Sequence, residues 1–239
     1  MATFEAQVEA LTSLAITSSS TPKQDELSQF LRDGVIDVTS KHLSMRPQDK
    51  ELFGRESSIS DSQGVSVGGA SIISVMREAG ADGSSDGSTA WEPCREVPSS
   101  IQSKVVDTTS LQFASIYNPV YTINGDKTIN VYPVPSSNNG YKVFYVNEEP
   151  RDITNNAALV FTHSNIKYFP NDKVYLVVIY SAIKAIEAKL ASYTIDEEDN
   201  ELVTALQVSL QQLNASYVSG FLPDRDREAL LQAAAQQRR

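Results

Sequence analysis

The sequence predicts an α+β protein. It reads as a helical bundle, made of N-terminal helices and a C-terminal helical hairpin, with an antiparallel β insertion domain and an extended C-terminal tail. Three observations carry this. Apolar residues recur at helical spacing over residues 1–50 and again over 169–223. Between them, over 51–168, the pattern changes to short β-type runs separated by stretches rich in Ser, Gly and Asp. From 224 to 239 the chain is polar and Ala-rich, with too weak an apolar face to pack on its own subunit.

The first helix is carried by Phe4, Val8, Leu11 and Ala15. The next starts at Thr21-Pro22-Lys23-Gln24, where Thr21 can cap, Pro22 suits the first helical position and Gln24 can close a capping box. Leu27, Leu31, Val35, Val38 and His42 form its apolar stripe, and Pro47 stops it. Gly34 costs this helix about 1 kcal/mol relative to Ala, which marks it as a point of close packing.

In the second block, residues 57–71 and 80–90 read as loop. Ile72 to Met76 fits a strand or one helical turn equally. From about Leu111 onward β signals strengthen. Val120 to Ile123 and Thr128 to Tyr132 flank Asn124-Gly125-Asp126, a hairpin pattern with Asn-Gly supplying positive φ. Asn138-Asn139-Gly140 repeats the device before a strand over Tyr141 to Val146, and Leu159 to Phe161 reads as a further strand. The expectation is an antiparallel meander of four or five strands.

The third block opens a helix at Pro170-Asn171-Asp172, with a seam of Leu176, Ile179, Ile183, Ile186 and Leu190. Thr194-Ile195-Asp196-Glu197 forms a capping box for a second helix, whose seam is Val203, Leu206, Leu210, Leu213 and Tyr217. Gly220 and Pro223 end it. Two seams of equal period predict an antiparallel hairpin.

Composition narrows the function classes. The 239 residues carry 20 Lys+Arg and 30 Asp+Glu, a net charge of −10, which argues against a surface built to grip phosphates. One cysteine, Cys94, excludes an internal disulfide and a multi-cysteine zinc site. The two histidines, His42 and His163, leave little material for a histidine-based centre. No cofactor motif is present, the N-terminus lacks a basic region typical of a secretory signal, and the most apolar run, Val174 to Ile183, is too short for a membrane span.

Few motifs carry chemistry. Gly64-Val65-Ser66-Val67-Gly68 matches the nucleophile-elbow pattern, but no buried strand precedes it and no βαβ alternation surrounds it. Asp82-Gly83-Ser84-Ser85-Asp86-Gly87 resembles the start of a calcium loop, yet its twelfth position is Pro93 rather than Glu. Glu148-Glu149 reads as solvated, and the acidic run 196–199 is explained by helix capping. Asn214-Ala215-Ser216 is a glycosylation sequon that falls in the middle of a helix.

The order helices, β insertion, helical hairpin and polar tail resembles the head-to-tail adaptor (connector) proteins of tailed bacteriophages, most of all the tail-tubular type of short-tailed phages. The stretch from Phe169-Pro170-Asn171-Asp172 to Ala185, an apolar helix containing Tyr and Ala directly after the β part, is the most similar. The Ser- and Gly-rich section 57–90 is a departure from that pattern. The resemblance implies a non-enzymatic virion structural protein at the head–tail interface, or neck. It would form a homo-oligomeric ring, usually of about twelve subunits, fixed below the portal protein and receiving the tail nozzle or tube protein. DNA passes through such a ring without specific binding, and no cofactor or membrane is involved. The tail 224–239 would then dock on the portal, with Leu230 and Leu231 as apolar anchors and Arg225, Arg227, Arg238 and Arg239 as charged ones. The alternatives are another phage neck, tail-completion or structural virion protein, or a serine hydrolase using Ser66.

Overall fold

The computed structural model describes residues 2–68, 70–79, 90–137, 139–146, 149–193 and 200–221. The fold is α+β and includes a C-terminal helical hairpin. The chain up to Leu52 and the chain from Glu149 onward form one compact unit, and Phe53 to Glu148 forms a second.

The helical unit is built from α1 (Phe4–Thr12), α2 (Gln24–Met45), α4 (Val174–Tyr193) and α5 (Asn200–Ser219), with a short α3 (Gln102–Val106) belonging to the other unit. Thr3 caps α1 by accepting the Ala6 amide at 3.3 Å, and Ser13 ends it in the left-handed region. The buried face is Phe4, Val8 and Thr12, so Leu11 and Ala15 of the expected stripe are exposed. α2 starts two residues later than its Pro22 suggests. Glu26 accepts the Lys23 amide at 2.8 Å and serves as the acidic half of the cap expected of Gln24, whose side chain donates to Glu5 instead. The α2 stripe of Leu27, Leu31, Val35, Val38 and His42 is buried as the spacing requires.

Gly34 sits where α2 meets α4. A Cβ there would lie 3.0 Å from Tyr180 Cδ1 and 3.3 Å from Val177 Cγ1, so a larger residue would make these side chains shift by a few tenths of an ångström. α4 packs against α1, α2 and α5 and is buried over more than a seam: Leu176, Val177, Val178, Ser181, Ala182, Ile183, Ala185 and Ile186 are all inside. α5 buries only Leu206 and Tyr217 fully, with Val203, Leu210 and Leu213 half-buried beside them. The capping residues 194–199 lie outside the described residues, as does the tail 222–239.

Residues 149–168 group with the helices rather than with the strands. Leu159 to Phe161 is not a strand, because its polar groups are used by helices. The Leu159 carbonyl accepts Arg32 Nε at 2.9 Å, the Phe161 amide donates to Ser28 Oγ at 3.2 Å, and the Phe161 and His163 carbonyls accept the Glu5 and Phe4 amides. The loop thereby satisfies first-turn donors of α1 that no intrahelical partner can reach.

The second unit is a sandwich of two four-stranded sheets. The strands are β1 (Gly54–Glu56), β2 (Val65–Ser66), β3 (Ile72–Glu78), β4 (Trp91–Pro93), β5 (Arg95–Glu96), β6 (Val120–Ile123), β7 (Thr128–Tyr132) and β8 (Tyr141–Val146). Their orders are β1-β8-β3-β4 and β2-β7-β6-β5, antiparallel except for the parallel β5–β6 pair. The expected meander is therefore corrected. β6 and β7 form the expected hairpin, but β8 leaves β7 to lie between β1 and β3. In the hairpin turn the left-handed residue is Lys127 (φ 62°), not Gly125, with Asp126 Oδ1 accepting both the amide and hydroxyl of Thr128.

The inner faces meet through Val75, Tyr141, Val143 and Tyr145 of one sheet and Tyr121, Ile129 and Val131 of the other. The Tyr141 hydroxyl donates to the Ile129 carbonyl at 3.1 Å and so pins the sheets together. Alternation sends Val120 and Tyr132 to the opposite face of the second sheet, where Val97, Val105 and Ala114 cover them. β3 ends in two buried charged residues. Arg77 donates to the Pro133 and Glu78 carbonyls at 3.0 and 2.7 Å, and Glu78 Oε2 accepts the Gly140 amide at 2.7 Å. Burial pulls the Arg77 guanidinium below its ordinary value, with Cys94 and Glu78 acting in the opposite direction.

Candidate functional site

Ser66 is an exposed residue of the two-residue edge strand β2, opposite Thr128. Its Oγ accepts the Gly68 amide at 3.3 Å. A nucleophile elbow needs a sharp turn from a buried strand into a helix, and neither flanks Ser66 among the described residues. The calcium-like stretch 82–87 and the acidic run 196–199 lie outside the described residues. So do all six residues assigned to portal docking: Arg225, Arg227, Leu230, Leu231, Arg238 and Arg239.

Both histidines have structural partners in the helical unit. His42 Nε2 lies 2.9 Å from Asp49 Oδ2. His163 Nδ1 accepts the Val160 amide at 3.1 Å, which places that ring's proton on Nε2 in the neutral form. Asp152 Oδ1 stands 4.0 Å from the same Nδ1, so the pair is a contact rather than a hydrogen-bonded dyad. Asp152 Oδ2 accepts the Thr154 and Asn155 amides at 2.9 and 3.2 Å. Burial raises the Asp152 carboxyl, but these amides, with His163 adding to them, hold it below the ordinary value. Glu149 pairs with Arg151 at 2.7 Å on the surface, and Asn214 of the sequon donates back to the Leu210 carbonyl of its own helix.

Three features escape sequence reasoning. The first is a cleft of about 320 Å³ at one edge of the sandwich, lined by Val67, Ala70, Ile72, Tyr121 and Ile123 with Glu96 and Lys127 among its polar groups. Tyr121 donates to Glu96 Oε2 at 3.0 Å, and burial first, then that carboxylate, pushes its phenol up. Cys94 packs against the same core. Burial raises its thiol to about 12, against the pull of Arg77, so it is a protonated, poor nucleophile at neutral pH.

The second is a polar and aromatic cluster joining α2, α4 and α5. Tyr217 donates to Asp37 Oδ2 at 2.5 Å, and Lys41 pairs with the same oxygen at 2.8 Å while lying over the Tyr217 ring. Tyr180 and Phe221 pack on that ring at 5.9 and 5.1 Å. Burial, then Asp37, pushes the Tyr217 phenol well up, so it stays a donor.

The third is the loop between α3 and β6. Here the β signal expected from Leu111 is absent until Val120, because side chains capture the backbone in turns. Asp107 Oδ1 accepts the Thr109 amide and hydroxyl, Ser110 Oγ accepts the Gln112 amide, and the Ala114 amide returns to the Val105 carbonyl. The signal available was a charge-free run over 108–119 bearing Leu111, Phe113 and Tyr117.

Among the described residues no helix is long and apolar enough to cross a membrane. No known protein family matches the chain, and no curated protein matches it.

Proposed function

We propose that this chain is a head-to-tail adaptor subunit of a tailed bacteriophage, joining the portal to the tail in a ring through which DNA passes. The observation that carries the reading is the chain order. Helices from both ends of the sequence assemble into one unit, and the β sandwich is inserted between them. The net charge of −10 supports it, since an acidic ring repels the phosphates of DNA in transit. The arginines and leucines of 224–239 supply the chemistry of a docking arm that gains order on its partner.

The test is capture of the purified chain by the portal ring of the same virus, read by negative-stain electron microscopy. Stable density below the portal is expected for the full chain, and loss of attachment with unchanged circular dichroism for a chain truncated at residue 223. Absence of binding by the full chain overturns the reading. Undiminished binding by the truncated chain overturns the role of the tail.

A further inference from the structure

The geometry points to a head-to-tail contact between two copies of this chain, in which the loop 107–119 of one copy inserts Leu111 into the edge cleft of the next. The loop presents two apolar side chains that little among the described residues covers, Leu111 at 106% exposed and Tyr117 at 75%, with Phe113 partly exposed beside them. It is held in shape by the Asp107, Ser110 and Ala114 hydrogen bonds, so little conformational freedom is lost on docking. Exposed Phe and Tyr on a preorganised segment are residue types enriched at interfaces, and Leu111 adds apolar area beside them.

The cleft supplies the complement. Val67, Ala70, Ile72 and Ile123 make it apolar, and about 320 Å³ accommodates one aliphatic side chain with neighbours at its mouth. The loop cannot fill its own cleft. Ala114 packs with Val120 on one face of the second sheet, whereas Tyr121 and Ile123 line the cleft from the other face. A second copy has no such obstacle. Because knob and hole lie on opposite faces of one sheet, the contact is heterologous, and repeating it builds a ring or a filament.

Charge permits a second copy at this contact. Two chains of −10 repel, and copies can approach only where acids do not oppose each other. Residues 108–119 carry no charge, and in the cleft Glu96 is accompanied by Lys127. A lipid surface is the weaker partner, since Thr108, Thr109, Ser110, Gln112 and Ser115 interleave the apolar residues with groups that need hydrogen-bond partners. Burying Leu111, Phe113 and Tyr117 would remove on the order of 400 Å² from water. That is about half of the ~800 Å² per partner of a stable interface.

The contact does not depend on the adaptor reading, and sedimentation velocity of the full chain tests it without a portal. Concentration-dependent association is expected for the wild type. Leu111→Asp loses the knob and Ser71→Trp, at an exposed position lining the cleft, blocks the hole; each is expected to weaken association about tenfold or more. Mixing the two variants leaves one intact knob and one intact hole, so a 1:1 dimer that grows no further is the expected product. Should Ser71→Trp unfold by circular dichroism, Ile123→Glu replaces it. A wild type that stays monomeric, a Leu111→Asp chain that associates normally, or variants that do not complement each other overturn the contact. Monomeric wild type that floats with phosphatidylcholine vesicles overturns it in favour of lipid. Portal capture that fails while complementation succeeds would reject the adaptor reading alone.

Discussion

The helical unit and the β sandwich dispose of their polar groups differently. In the helical unit, most backbone groups are satisfied within each helix, and the buried polar side chains His42, Asp152 and Ser181 find partners within seven residues of themselves. In the sandwich, buried charged side chains reach partners far along the chain. Arg77 and Glu78 are both buried, and they hold strand ends and loops that no ladder reaches. Both units bury apolar area, but the sandwich adds long-range contacts of buried charged groups, whose loss leaves a buried polar group without its partner.

The sharpest way to break this comparison is Glu78→Ala. It strands the Gly140 amide and removes a buried carboxylate beside Arg77, and a loss of about 3 kcal/mol is expected in urea unfolding followed by Trp91 fluorescence, which reports on the sandwich. A shift below about 1 kcal/mol would show that the buried charges are not what holds this unit. Leu176→Ala makes the matching cut in the helical unit. Its side chain is fully buried, and about 3 kcal/mol is expected from the helical circular dichroism signal.

Tyr217→Phe keeps the ring packing on Tyr180 and Phe221 but removes the donor to Asp37. About 1 kcal/mol is expected, reduced from the usual value for a charged acceptor because the Asp37 side chain is 31% exposed and retains Lys41. The smallest effect is pH-dependent. The Asp152 carboxyl is held below its ordinary value, so it contributes stability above about pH 4 that is lost as pH falls through its folded value. Asp152→Asn removes that contribution. Wild type and variant are expected to differ by a constant amount near neutrality and to converge as the pH drops below about 4. A gap that widens in acid would show the carboxyl to be raised instead.

The helical unit was far more legible in the sequence than the sandwich. Leu27, Leu31, Val35, Val38 and His42 read correctly because a helix bonds to itself, so local spacing decides which face is buried. Gly34 was legible for the same reason, as an interruption in a stripe. Some errors are local, such as Leu11 and Ala15 in the α1 stripe and Gly125 in the hairpin turn, but the larger ones lie where partners are distant. Leu159 to Phe161 has strand-like composition, but Ser28 and Arg32, more than a hundred residues away, claim its polar groups. Tyr141 to Val146 was identified as a strand, yet its place between β1 and β3 depends on pairings that alternation alone does not encode.

The candidate surfaces divide in the same way. The sequence by itself determined the class of fold, the helical stripes, the β6–β7 hairpin and the charge of −10, because each is a local or summed property. Only the tertiary structure decided that Glu96, Tyr121 and Lys127 share a cleft, that Asp37 meets Tyr217, and that Leu111 stands in solvent. Each of those depends on which chain segments cross, and crossing is set by burial and hydrogen bonding summed over the whole molecule rather than by the residues that happen to be neighbours along the chain.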